Sequence, residues 1–262
     1  MKIPVICLGT DEVMDSSEAA RLIESHGFFI LRNFFPQDQV ERLKDNMRSG
    51  FSNSRWLRGK SFTNRSPDYC TTWITRGFGK LVAARFYQQS HNRPKTLVKI
   101  IDNLRLSCIS VEDIVNKGEP PDLLRARGKR TFFEIYTIYS SNSGFYPRHK
   151  DQENGICELQ GQLTLTEYGK DFDGGSLILH LENDLEIKLG PQLQMGDVII
   201  FDKNIEHSVE EIRSVKGGLG RWMVLINASL FDAKEKIRHP NIKEKLIDFR
   251  AKRKIKKLMR IS

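Results

Sequence analysis

Short strand-like segments separated by turn residues fill the second half of the chain, from about residue 131 to residue 228. The first segment, 132–139, alternates loosely and is rich in aromatic and β-branched residues. Similar segments follow at 158–166, 176–181, 185–189, 197–202, 207–212 and 221–228. Turns rich in Gly or Asp, such as 171–175 and 195–197, lie between them. Strands this short, at this spacing, predict an antiparallel sandwich or barrel.

The first 130 residues are predicted to be mostly helical. Asp15 followed by Glu18 predicts a capped helix that ends near Gly27 and leads into a strand over 27–32. Pro36 then opens a second helix, because apolar residues recur after it at helical spacing. Further helices are predicted at 78–92, 94–108 and 240–258. We therefore expect a mainly β fold with helices in one domain over 1–262, divided into helical support and lid (1–130), β core (131–229) and basic helical tail (230–262).

The net charge of +9 is concentrated at the end of the chain. Residues 234–262 hold 12 Lys and Arg against 3 Asp and Glu, whereas the preceding 233 residues hold 30 of each kind and are neutral. A neutral body makes a nucleic-acid partner unlikely and leaves only the tail for contact with an acidic membrane or carrier. The plainer interpretation is a helix with a solvated basic face.

The four cysteines form no C-x-x-C pair, and no run of 18 apolar residues occurs. Scattered cysteines of this kind predict free thiols in a reducing compartment rather than a zinc site or a disulfide framework. The sequence therefore predicts a cytoplasmic protein without a transmembrane helix.

His149 and Asp151 form a His-x-Asp pair just before a turn. On an extended backbone, side chains at i and i+2 point to the same side, so an imidazole and a carboxylate can meet at one point. His207 follows the apolar segment 198–201 and can supply a second imidazole from a strand end. Two imidazoles and one carboxylate on one face of a metal suit a non-haem Fe(II) that keeps positions open for oxygen and a co-substrate. His180 lies between leucines on a predicted strand and is expected to be structural or exposed.

Arg221 opens the last predicted core strand, directly before the apolar residues 222–225. These neighbours predict a buried strand, in which a guanidinium needs a carboxylate partner because an unpaired buried charge is costly. A bound dicarboxylate would supply that partner in bidentate geometry. A structural salt bridge to Glu134 or Glu206 is the alternative.

These residues, in this order, resemble the Fe(II)/2-oxoglutarate-dependent dioxygenases. Segment 173–178 is similar to the family's Gly-Gly turn before a core strand, and 196–201 to its strand before the distal histidine. The resemblance covers about 131–229, and 27–35 is similar to the phytanoyl-CoA-hydroxylase-like branch. It implies a double-stranded β-helix, or jelly roll, with iron at its mouth.

The resemblance also implies roles for the residues. His149, Asp151 and His207 would be the catalytic metal ligands, and Arg221 would bind the distal carboxylate of 2-oxoglutarate. The implied reaction uses O2 to hydroxylate an unactivated C–H bond while 2-oxoglutarate is converted to succinate and CO2. Halogenating relatives have Gly or Ala in place of the carboxylate, so Asp151 favours hydroxylation, with desaturation or ring closure as further outcomes.

One position departs from the family pattern. Many relatives place a Ser two residues after the arginine, where this chain has Met223. A hydroxyl from a neighbouring strand, from Tyr136, Tyr139 or Thr164, would have to replace it in binding 2-oxoglutarate. The two tyrosines lie at i and i+3 and cannot both point inward on a regular strand; of the two, Tyr136 is preferred.

The segment 51–76 has no visible periodicity and is rich in Ser, Asn, Arg and Gly. We predict that it is a loop that closes over the metal as a substrate lid. Trp56, Arg58 and Arg65 in this loop, with Arg148 beside the predicted ligands, combine aromatic surface and positive charge. The predicted substrate is therefore a small molecule with an anionic group.

Three other functions share parts of this pattern. A cupin-like metal protein without 2-oxoglutarate chemistry usually adds ligands near the first, and the sequence has no H-x-H pair. A silent binding module would not need the full ligand set. An oxygenase acting on a carrier-, membrane- or macromolecule-bound substrate would be favoured by the basic tail.

Overall fold

A computed structural model describes residues 3–8, 12, 14–52, 73–74, 83–88, 95–117, 130–139, 145–152 and 155–230, and the account below concerns these residues. Their helices are α1 (Ser16–His26), α2 (Gln37–Ser52) and α3 (Lys95–Val115). Their strands are β1 (Val5–Cys7), β2 (Phe28–Arg32), β3 (Trp73–Ile74), β4 (Ala83–Gln88), β5 (Arg130–Tyr139), β6 (Tyr146–His149), β7 (Leu159–Thr164), β8 (Phe172–Gly174), β9 (Leu177–His180), β10 (Glu186–Lys188), β11 (Val198–Asp202), β12 (Glu206–Val209), β13 (Ile212–Ser214) and β14 (Arg221–Leu230).

The strands form two main sheets. The major sheet has eight strands in the order β1-β2-β11-β7-β14-β5-β4-β3, and the minor sheet has four in the order β10-β9-β12-β6. A separate antiparallel pair joins β8 to β13. The pairing within the sheets is antiparallel except between β1 and β2. The prediction of a mainly β, antiparallel fold is confirmed.

Strands β2, β7 and β11 of the major sheet, and β14 over residues 221–226, are buried on both faces. In β11, Val198 and Ile200 pack in a cluster with residues of the three helices, whereas Ile199 and Phe201 pack in a second cluster between the sheets. Leu179 of the minor sheet belongs to that second cluster. The uninterrupted apolar run of β11 follows from this arrangement, because a strand covered on both faces cannot alternate with polar residues. The layers are therefore helices, major sheet and minor sheet.

Strand β7 carries polar side chains on its inner face. Leu159 and Leu163 belong to the helix-side cluster, so Gln160, Gln162 and Thr164 point the other way, towards the space between the sheets. All three polar residues are buried. Buried polar groups need hydrogen-bonding partners. The inner face of β7 is therefore suited to binding a polar ligand.

The helix predicted after Asp15 is confirmed as α1. The Asp15 carboxylate accepts hydrogen bonds from the backbone N–H groups of Ser17 and Glu18, at 2.8 and 3.3 Å. Gly27 ends the helix with a φ of 76°, a left-handed conformation that glycine adopts without a steric penalty. Ile23 on the buried face packs into the helix-side cluster.

The helix predicted at 78–92 is wrong where the structure describes it. Residues 83–88 form β4, which pairs along β5 from Ala83 to Gln88. Tertiary pairing overrides the helical propensity of this Ala- and Gln-containing segment. The helix predicted at 94–108 is confirmed as α3, which continues to Val115.

The segment predicted as a loop at 51–76 is helical at its start and extended near its end. Helix α2 includes residues 51–52, and Trp73–Ile74 form β3; residues 53–72 and the tail beyond residue 230 lie outside the described part of the chain. Cys7, Cys108 and Cys157 are free thiols, as predicted. No helix among the described residues combines the length and the hydropathy needed to cross a membrane.

Asp197 provides a test of how the end of β2 is joined to the turn before β11. Its carboxylate is fully buried and accepts hydrogen bonds from Arg32 Nη1 at 2.7 Å and from the backbone N–H groups of Asn33 and Gln194 at 2.9 and 2.8 Å. We expect Asp197→Ala to lower the free energy of unfolding by about 2–4 kcal/mol, because three donors lose their acceptor. Denaturant unfolding measures this.

The matched control is Asp38→Ala, which removes an exposed ion pair with Arg42 at 3.7 Å. Exposed pairs contribute less than about 1 kcal/mol. Equal stability losses in the two variants would contradict the role given to Asp197.

Candidate metal centre and adjoining anion pocket

Strands β6 and β12 place two histidines side by side. His149 and His207 are direct cross-strand partners in the antiparallel pairing of the minor sheet. His207 is also the cross-strand partner of Leu179, which packs between the sheets, so its imidazole faces the same inner space. The centroids of the two imidazole rings are 4.2 Å apart.

Both imidazoles are oriented by the same local contact. His149 Nδ1 lies 2.8 Å from the carbonyl oxygen of Pro147, and His207 Nδ1 lies 3.0 Å from that of Ile205. A carbonyl oxygen can only accept, so each Nδ1 carries the hydrogen and donates it. Each Nε2 is therefore left with a lone pair for a metal, which is the usual arrangement of metal-binding histidines.

Asp151 supplies the carboxylate, from the bend that follows β6. Its Oδ1 lies 3.6 Å from His149 Nε2, and its Oδ2 lies 3.7 Å from His207 Nε2. The three potential ligand atoms all lie within 4.8 Å of one another. Two neighbouring ligands at metal–ligand distances of about 2.0–2.2 Å stand about 3 Å apart. The arrangement thus has room for one ion, and its two imidazoles and one carboxylate fit Fe(II) with coordination positions left open.

The surroundings favour the ligand protonation states that a metal requires. Burial by itself would raise the pKa of Asp151, but the favourable interaction of the ionised carboxylate with His149, His207 and Lys203 outweighs it, so the pKa is lowered. Burial lowers the pKa of His207, although the Asp151 charge opposes the change. Near neutral pH the site therefore offers an ionised carboxylate and a neutral imidazole.

One aromatic ring packs against each of the two histidine rings. The Tyr146 ring lies 4.4 Å from the His149 ring, and the Phe201 ring lies 5.1 Å from the His207 ring, measured between centroids. Apolar surroundings of this kind control the access of solvent to a metal.

Arg221 lies on the inner face of β14 as a buried cation, and none of the described residues supplies it with an anionic partner. Its side chain is 5% exposed, and its Nη1 has no hydrogen-bond partner within the described residues. Burial lowers the pKa of the guanidinium, and Tyr139, its cross-strand partner, opposes this. The Tyr139 ring centroid lies 5.5 Å from Arg221 Cζ. Glu206, one of the alternative partners, pairs instead with Arg148.

A small cavity of about 10 Å³ adjoins Arg221. Thr164 lines it, and the buried Oγ1 of Thr164 also lacks a hydrogen-bond partner within the described residues. A buried guanidinium nitrogen and a buried hydroxyl, both without partners among the described residues, are complementary to a carboxylate. The cavity has room for about one water molecule, so a carboxylate would have to displace a lining side chain. Met223 also lines it and has the flexibility to move.

Met223, where many relatives have a serine, has a hydroxyl-bearing residue on each neighbouring strand. Thr137 on β5 and Thr164 on β7 are its cross-strand partners on either side. Both threonine hydroxyls are buried and lack partners among the described residues. The sequence prediction included Thr164 and missed Thr137; strand alternation from Tyr139 would have put Thr137 on the same face. Tyr136 pairs with Val224 through the backbone, and its side chain lies outside the described structure.

The other predicted residues lie away from this centre or outside the described residues. Arg148 is adjacent to His149 on β6 and so points to the opposite face, where its Nε donates to Glu206 Oε2 at 2.7 Å. His180 is structural, as predicted: its Nε2 lies 2.9 Å from Ser208 Oγ. The predicted lid residues Trp56, Arg58 and Arg65 lie outside the described residues.

Solved structures with the same fold include hydroxylases. A prolyl-4-hydroxylase from Pseudomonas putida is similar with a TM-score of 0.56 at 14% identity, over 83% of this chain and 100% of that one. A prolyl hydroxylase from Trichoplax adhaerens, in complex with a peptide fragment of the hypoxia inducible factor oxygen degradation domain, has a TM-score of 0.53 at 16% identity over 82% and 89%. AviO1 from Streptomyces viridochromogenes Tue57 has a TM-score of 0.50 at 15% identity over 87% and 100%.

At these identities the likeness shows a shared fold. No protein-family model and no curated protein matches the sequence. The class of site is therefore defined by the fold together with the donor set built into it.

Metal binding by the three ligands can be tested directly. We expect His149→Ala, Asp151→Ala and His207→Ala each to lose nearly all bound Fe(II), because each variant leaves two protein ligands. Anaerobic metal titration and metal analysis measure this. His180→Ala is the matched control, since His180 lies on the strand next to His207 but outside the cluster. Full metal content in His207→Ala would contradict the assignment.

Proposed function

We propose that the protein is an Fe(II)/2-oxoglutarate-dependent oxygenase that hydroxylates an unactivated C–H bond of a small, anionic molecule. The observation that carries the proposal is the buried guanidinium of Arg221, whose Nη1 has no partner among the described residues, in the same inter-sheet space as the His149–Asp151–His207 cluster. A metal with open positions accounts for the three ligands but not for Arg221. A metal that shares its site with a bound dicarboxylate accounts for the ligands and for Arg221.

In this mechanism the chain holds and orients the reactants. His149 and His207 present Nε2, and Asp151 presents its carboxylate, to Fe(II). When bound, Fe(II) and 2-oxoglutarate supply the oxidising chemistry: O2 and 2-oxoglutarate become succinate and CO2, and one oxygen atom enters the C–H bond. With two neutral imidazoles and one carboxylate as its protein ligands, a bound Fe(II) would keep a net positive charge, which would favour an anionic co-substrate.

Arg221 binds the distal carboxylate of 2-oxoglutarate in the proposal. Thr164 donates its hydroxyl hydrogen to the same carboxylate, in place of the serine that Met223 replaces. Thr137 is a further hydroxyl of the same kind. Of the two tyrosines named from the sequence, Tyr139 is the one that lies on the inner face, with its ring 5.5 Å from Arg221 Cζ. The support is the unpaired state of the Arg221 and Thr164 groups within the described residues and their common cavity.

The finer classification also remains a proposal. We interpret the two facing antiparallel sheets as a double-stranded β-helix with the metal at its mouth. The phytanoyl-CoA-hydroxylase-like branch rests on the sequence alone, while similar solved structures include prolyl hydroxylases. The substrate proposal likewise rests on the sequence of the predicted lid.

A cupin-like metal protein is distinguished by its independence from 2-oxoglutarate. Succinate formation from 2-oxoglutarate, dependent on Fe(II) and O2, tests the proposal against this alternative. A chain that binds Fe(II) but neither binds nor consumes 2-oxoglutarate would overturn it.

Arg221 should control the affinity for the co-substrate. Removing one member of a buried charge pair costs about 3–5 kcal/mol, which is on the order of 10²–10⁴-fold in affinity. We expect Arg221→Leu to raise the KM for 2-oxoglutarate by about that factor while Fe(II) binding is retained. Thr164→Val, which removes one hydroxyl, should raise it about tenfold.

The control for this experiment is Arg213→Leu. Arg213 forms an exposed ion pair with Asp173 at 3.0 Å and should leave the KM unchanged. If Arg213→Leu raises the KM for 2-oxoglutarate strongly and Arg221→Leu does not, Arg213 would be the residue that binds the carboxylate.

The predicted lid should couple co-substrate consumption to product formation. We expect Trp56→Ala, Arg58→Ala and Arg65→Ala to lower product formation while 2-oxoglutarate is still consumed, because a closed lid excludes water from the reaction. The ratio of product to succinate measures coupling, with Arg42→Ala, at an exposed position of α2, as the control. Full coupling and an unchanged substrate KM would show that this segment is not the lid.

A further inference from the structure

Lys203 lies in the turn between β11 and β12 and joins this turn to the segment that carries Asp151. Its carbonyl oxygen accepts hydrogen bonds from the backbone N–H groups of Asp151 and Gln152, at 3.2 and 3.3 Å. Its own N–H donates to the carbonyl oxygen of Glu158 at 2.9 Å. The same residue therefore contacts the metal-ligand loop and the residue before β7.

The Lys203 side chain repeats this connection with a buried ion pair. Lys203 Nζ lies 3.0 Å from Glu158 Oε2, and the two side chains are only 9% and 11% exposed. A buried charge is costly without its partner, so each side chain holds the other in place. The pair of Lys188 with Glu210, at 2.7 Å, is 58% and 27% exposed and lacks this constraint.

Glu158 is itself fixed to helix α3. Asn116 Nδ2 donates to the carbonyl oxygen of Cys157 at 3.0 Å, and the Cys157 N–H donates back to Asn116 Oδ1 at 3.1 Å. The N–H of Leu159 donates to Glu112 Oε1 at 2.8 Å. Both neighbours of Glu158 are thus held by α3 and the residue that directly follows it, and Lys203 is anchored on this support.

The three metal ligands differ in what positions them. His149 and His207 lie within paired strands, whereas Asp151 lies in a bend, and its backbone N–H is held by Lys203. We propose that Lys203, fixed by Glu158, is a positioning residue that places the Asp151 carboxylate and so sets the affinity of the centre for its divalent metal. The inference rests on the proposed function, since it concerns the same metal.

The experiment measures the affinity of the metal-free chain for Fe(II) and for Co(II), under anaerobic conditions. We expect Lys203→Met and Glu158→Gln each to weaken binding about 10–100-fold, the usual effect of losing a group that orients a metal ligand. Lys203→Arg, which keeps the charge, should restore most of the affinity. Lys188→Met on the exposed pair is the matched control and should bind like wild type.

Two further measurements separate positioning from a general loss of structure. Thermal unfolding of each metal-free variant shows that it is folded at the temperature of the titration. At saturating metal, the KM for 2-oxoglutarate should remain unchanged in Glu158→Gln, because Arg221 is untouched. Glu158→Gln keeps the shape of the side chain and serves as the decisive variant where Lys203→Met does not fold.

The outcomes are distinct. If Lys203→Met or Glu158→Gln is folded and binds metal as tightly as the control Lys188→Met, the inference is overturned. The proposed function would still stand. Wild-type protein that binds no divalent metal would overturn both. Weakened metal binding together with an equally raised KM for 2-oxoglutarate at saturating metal would show a general structural effect and also overturn the inference.

Discussion

The antiparallel pairing of β6 with β12 is the interaction on which the candidate metal centre depends. It sets His149 directly opposite His207, and the inward direction of His207 is fixed because its other neighbour on β9, Leu179, is buried between the sheets. A shift of one residue in this register would turn an imidazole to the outer face. The buried core between the sheets therefore specifies the position of a polar, functional pair.

The outer face of the minor sheet supports this register with charges. Arg148 pairs with Glu206, and His180 lies between Ser208 and Glu186, across neighbouring strands. Each exposed contact contributes little alone. Placed behind the ligands, they favour one alignment of the strands.

The sequence was sufficient for the residues whose chemistry is distinctive. The His-x-Asp pair and the distant His207 come together as predicted, and the apolar neighbours of Arg221 correctly indicated a buried arginine. Strand-type composition after residue 131 predicted the mainly β fold. These signals are local, since each depends on residue type and a spacing of a few positions.

The remaining features depend on tertiary contacts that no local pattern contains. The composition of residues 83–88 predicts a helix, but their pairing with β5 outweighs that local preference. The importance of Thr137 comes from its position opposite Met223, on a strand distant in sequence. Lys203 lies in a turn, and only the fold brings it to Glu158 and Asp151.

The two halves of the candidate site lie on different sheets. The histidine ligands belong to the minor sheet, whereas Arg221 and Thr164 belong to the major sheet, and both sets face the space between. A ligand that contacts the metal at one end and Arg221 at the other therefore bridges the two sheets. Its affinity then depends on the packing of the apolar cluster that sets their separation, in which Met223 lies beside the cavity next to Arg221. Because protein interiors are closely packed, substitutions in that cluster would alter the binding of such a ligand even where they touch neither the metal ligands nor the arginine.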